Sequence, residues 1–97
     1  MKDFELFKGK KIEIKHLSDD EFIKLHQTLE DYGFKMYVST KKRIRDGIRE
    51  FIEYYEYIHN NQDDEFCGYG GSDYQIISPQ EAYNMLGISN QISYEIY

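Results

Sequence analysis

The chain of 97 residues is long enough for one small domain, expected to span residues 1–97 as a single unit. It holds 12 Lys and Arg against 18 Asp and Glu, a net charge of −6, and 40% of its residues are hydrophobic. That balance excludes a disordered tail and argues against unaided binding to duplex DNA or to an anionic membrane. The apolar runs are two or three residues long, so neither a transmembrane helix nor a secretory segment is expected. One cysteine, Cys67, suits a reducing cytoplasm.

Phe4 to Phe7 reads as a short first strand turning at Lys8-Gly9-Lys10. Lys11 to His16 alternates, with Ile12, Ile14 and His16 on one face, as a half-buried strand does. Ser18-Asp19-Asp20-Glu21 is a capping box, and Leu17 and Phe22 sit at hydrophobic-staple spacing around it. The helix it opens carries Phe22, Leu25, Leu29 and Tyr32 at helical spacing and stops at Gly33. Phe34 to Ser39 reads as a second strand. A second helix is expected over about 41–59, its apolar stripe running through Ile44, Ile48, Phe51, Ile52, Tyr55 and Ile58. Asp46-Gly47 is a turn signal inside that stripe, where a hairpin competes. Glu65 to Tyr69 and Asp73 to Ile77 read as strands joined by a glycine turn. Ser78-Pro79-Gln80-Glu81 is a second capping box, opening a short helix that Gly87 ends. Ile92, Tyr94 and Ile96 alternate as a last strand. The fold class is α+β: a small, mostly antiparallel sheet with two main helices on one face and a short third helix.

No motif of catalysis stands out. His16, His26, His59 and Cys67 are not paired at metal-ligand spacing, so no metal site is expected, and His26 reads as a flank of the core. Gly68-Tyr69-Gly70-Gly71 lacks the lysine of a phosphate-binding loop, and no cofactor is implied. Ser78 to Ser89 resembles the opening of excisionase-like helix-turn-helix domains over about 12 residues. It departs from them at Tyr83, where a small residue is needed, and no Lys or Arg follows to meet DNA. A capped structural helix is the better reading.

Charge is the informative feature. Every basic residue lies between Lys2 and Arg49, giving residues 1–49 a net +3, and residues 50–97 carry nine acids and no Lys or Arg. On the expected second helix, Lys41, Lys42, Arg43, Arg45 and Arg49 precede Glu50, Glu53 and Glu56. A helix dipole prefers the reverse order by roughly 0.3–1 kcal/mol per charge. Two readings follow. In the first, Glu50, Glu53 and Glu56, Tyr57 exposed beside them, and Asp63, Asp64, Glu65 and Asp73 form a carboxylate face that docks on a basic protein surface. In the second, Thr40, Lys41, Lys42, Arg43, Arg45 and Arg49 hold a small anion such as a nucleotide, with Tyr37 stacking. Self-association between the oppositely charged halves is a third reading.

Over the whole chain, the small size, acidic charge and ten tyrosines resemble the accessory proteins of phages and prophages of AT-rich bacteria, a group that includes anti-CRISPR and other anti-defence inhibitors. The resemblance implies a non-enzymatic, stoichiometric inhibitor acting in the host cytoplasm, its partner a host defence protein with a basic, nucleic-acid-binding surface.

Overall fold

The structure, a computed structural model, describes residues 5–61, 65–68, 70 and 72–88. Its elements, in chain order, are strand β1 (Lys10–Glu13), helix α1 (Asp19–Asp31), β2 (Lys35–Met36), α2 (Thr40–Asp46), α3 (Ile48–Tyr55), β3 (Tyr57–Asn60), β4 (Glu65–Cys67), β5 (Gln75–Ile77) and α4 (Pro79–Met85). The expected last strand through Ile92, Tyr94 and Ile96 lies outside the described residues, as do Asp63 and Asp64.

The locally encoded signals form as expected. The Glu21 amide donates to Ser18 Oγ at 3.1 Å while the Ser18 amide donates to the Glu21 carboxylate at 2.8 Å. The same reciprocal pair caps the start of α4, between Ser78 and Glu81. At the far end of α1, Gly33 adopts φ +95°, and the Phe34 amide reaches back to the Leu29 carbonyl at 3.0 Å, a Schellman turn. Gly87 ends α4 in the same way, with the Ile88 amide on the Tyr83 carbonyl.

The fold is α+β, and the sheet is mixed. Strand order is β2-β4-β3-β1-β5. The central pairings, β1 with β3 and β3 with β4, are antiparallel, and the two edge strands, β5 and β2, run parallel to their neighbours. Register places Ile12 opposite both Ile58 and Ile77, so these three share a face with Asn60, Phe66 and Met36. That face meets the apolar sides of α1, α3 and α4 in one core. Phe7, Phe34 and Phe66 form an edge-to-face triangle within it, their ring centroids 5.4–5.7 Å apart.

Several expectations are corrected. Phe7 is fully buried but belongs to a turn, not a strand. The second strand shortens to Lys35–Met36, because its core contact is made by Phe34 just before it. Strands β4 and β5 are not hairpin partners, since β3 and β1 lie between them. The largest change is at 41–59, which is not one helix. Gly47 at φ +112° separates α2 from α3, and Glu56, left-handed at φ +65°, ends α3 and turns the chain into β3. Ile58 therefore packs from a strand, and Ile44 leaves the stripe, 51% exposed. Among the described residues no helix is long and apolar enough to cross a membrane.

Candidate functional site

The break at Gly47 relieves part of the dipole conflict, although Lys41 and Lys42 stay in the first turn of α2 and Glu53 and Glu56 at the end of α3. Arg43 and Arg45 fall in the last turn of α2 and Glu50 in the first turn of α3, the placement that a helix dipole favours for these three. Arg49 is used internally: it donates to Asp19 Oδ1 at 2.8 and 3.0 Å and to the Leu17 carbonyl at 2.9 Å, pinning α3 to the start of α1. Lys42 and Arg45 both pair with Asp46, and Lys42 first holds that carboxyl below its ordinary value. Lys41 is exposed. The N-terminus of α2 is closed by Ser39, whose hydroxyl accepts from the Lys42 amide at 3.2 Å. The expected basic cluster therefore does not assemble there.

The acidic set is also divided. Glu50 and Glu53 are exposed on α3, Glu56 is exposed at its end, and Asp73 is exposed in the turn before β5. Glu65 is half-buried on β4, 4.0 Å from Lys35 Nζ. Tyr57 is not the exposed aromatic: as a β3 residue it lies under Lys11 Nζ at 4.6 Å and Lys15 Nζ at 5.7 Å. Tyr54 takes that place on α3, 79% exposed.

What the fold does create is a groove of about 580 Å³ between α2 and α3 on one side and β3, β4 and the segment after β2 on the other. Its size suits a small organic ligand. Phe51, Tyr55, Ile58 and Phe66 supply an apolar bed, with Tyr37, 69% exposed, beside it. Gly68 allows the bed to form, because a Cβ there would lie 2.7 Å from the Tyr55 ring and 2.9 Å from Phe51. Among the described residues, Arg43 is the one charged side chain lining the groove. Its guanidinium lies 4.0 Å above the Phe51 ring, and among the described residues it makes no ion pair. Its Nε is buried without a hydrogen bond. Burial lowers the guanidinium's pKa, with Asp46 and then Tyr55 opposing the shift, and it remains a cation.

His26 also lines the groove. It is not simply a core flank. Its Nδ1 lies 2.7 Å from Thr40 Oγ1, and that hydroxyl donates to Glu30 Oε1 at 2.7 Å. Thr40, expected to meet an anion, is thus buried and committed to this chain of contacts. Burial lowers the imidazole's pKa to about 4; Glu30 raises it and Arg43 lowers it further. The only trace of this in the sequence is the i, i+4 spacing of His26 and Glu30.

Strand register brings together a second pair, His59 and Cys67, whose Nε2 and Sγ are 4.0 Å apart. Asn61 Nδ2 donates to the same sulfur at 3.7 Å. Burial, and then Lys11, lower the His59 pKa. Among the described residues no group of three or more His, Cys, Asp or Glu is placed to hold a metal ion. No protein-family model, curated protein or solved structure matches this chain.

Proposed function

We propose that the protein is a non-enzymatic binding protein whose groove takes a small anionic ligand with a flat, aromatic body. The observation that carries this reading is Arg43, a partly buried cation with no ion pair among the described residues, lying over Phe51 in a largely apolar cleft, its Nε buried and without a hydrogen bond. An incoming phosphate or carboxylate offers the guanidinium a charge-assisted contact in a setting where water competes poorly. The neighbouring rings supply contact area for a planar group. Of the basic residues expected to meet an anion, Arg43 alone faces the groove.

The test is thermal unfolding with uridine and guanosine, each as the nucleoside and as the 5′-monophosphate. A monophosphate at 100 times its dissociation constant adds about 2.7 kcal/mol of stability. Nucleosides should add much less, and Arg43→Gln should remove the difference. Equal stabilisation by nucleoside and nucleotide, or an Arg43→Gln response matching the parent, would count against the reading.

A second reading is favoured by a separate observation. Glu50 and Glu53 are exposed one helical turn apart on α3, make no ion pair among the described residues, and flank the 79% exposed Tyr54. This is a carboxylate surface with an aromatic anchor, suited to the basic surface of a partner protein, as an inhibitor of the anti-defence kind would require.

A further inference from the structure

The proton arrangement at His26 defines the other end of the ligand. A threonine hydroxyl has one proton, and Thr40 gives it to the Glu30 carboxylate, which can only accept. The 2.7 Å contact with His26 must therefore run the other way, from an Nδ1–H into the Thr40 oxygen. That fixes the tautomer and leaves Nε2 as a bare acceptor. The residue is only 5% exposed and lines the groove, and Nε2 makes no hydrogen bond to the described residues. An acceptor so placed discriminates strongly, since a ligand that covers it without donating leaves it desolvated and unpaired.

We infer that the groove's ligand is an anionic heteroaromatic compound carrying a ring N–H, with the anion on Arg43 and the N–H donating to His26 Nε2. A mononucleotide with an unsubstituted imide or lactam N–H has this chemistry. The inference rests on the anion-binding reading above and adds a requirement for a donor. The tautomer relay is what makes it specific: Glu30 and Thr40 touch no ligand, but they prevent the imidazole from offering a proton of its own.

Calorimetric titration with uridine and guanosine 5′-monophosphates, and with their N3-methyl and N1-methyl counterparts, tests the inference. For at least one parent compound, methylation should weaken binding about tenfold or more. His26→Phe keeps a flat ring but no acceptor, and should bind the parent and methylated compounds alike. Should that variant not fold, nitrogen chemical shifts of the unaltered protein answer instead: Nδ1 should carry the proton in the free state, and Nε2 should shift to a hydrogen-bonded acceptor on titration. Methylated and parent ligands binding the wild type equally, with Arg43→Gln still weakening both, would overturn the donor requirement and leave the anion reading intact. Binding that ignores Arg43→Gln would overturn the anion reading instead, and no binding by any of the four compounds would overturn both.

Discussion

Burying a histidine removes the water that would solvate its charged form, and His26 shows the consequence for stability. Its pKa is about 4 in the fold against an ordinary value of 6.5, because burial outweighs the pull of Glu30. The unfolded chain therefore binds the proton more readily than the native one between those values. Stability is complete above pH 6.5 and falls as the pH drops towards 4, by about 3 kcal/mol from this group. His59, lowered by burial and Lys11, acts in the same direction. Urea unfolding at pH 7 and at about pH 4.5 should show this loss, and His26→Phe should flatten the difference while His59 keeps part of it. An unchanged slope in His26→Phe would mean that the ring titrates normally. Beyond the i, i+4 spacing of His26 and Glu30, none of this could be read from the sequence, where His26 looks like any histidine beside a core leucine. The partner that fixes its tautomer, Thr40, comes from a different helix.

Elements were legible where their signals are local. Ser18 with Glu21, Ser78 with Glu81, and the glycines at 33 and 87 each specify a helix end within a few residues, and each end forms as the sequence dictates. The 41–59 segment misleads for a physical reason. Ile44, Ile48 and Phe51 keep helical spacing across Gly47, so periodicity alone carries no sign of the interruption. Ile58 likewise falls in step with Tyr55, although Glu56 has already turned the chain into β3. Gly47→Ala separates the two geometries by sign. In a continuous helix the replacement would stabilise by about 1 kcal/mol. At φ +112° a Cβ is strained, so the substitution should destabilise by about 1–2 kcal/mol, read from the urea midpoint. A stabilised variant would restore the unbroken helix.

At the scale of the whole molecule, the oppositely charged halves of the sequence interleave. In the strand order β2-β4-β3-β1-β5, β2 and β1 from the basic half each border only strands of the acidic half. Between the halves, Lys35 lies near Glu65, and Lys11 and Lys15 cover Tyr57; the other ion pairs among the described residues, Arg49 with Asp19 included, join partners within residues 1–49. The groove is legible only at this scale, because its walls come from elements spread between His26 and Gly68. The carboxylates left without an ion pair among the described residues include Glu50, Glu53 and Glu56, all within or at the end of α3 beside Tyr54. If a basic partner docks there, long-range attraction should govern the rate of encounter and the exposed ring its lifetime. Replacing the three glutamates with Gln removes three negative charges and leaves the fold's internal ion pairs in place. Capture of a basic protein from cell lysate should then fall sharply and lose its sensitivity to salt, while Tyr54→Ala should shorten the lifetime of the complex with little change in association rate. Capture undiminished by the triple substitution would leave the groove as the molecule's one argued site.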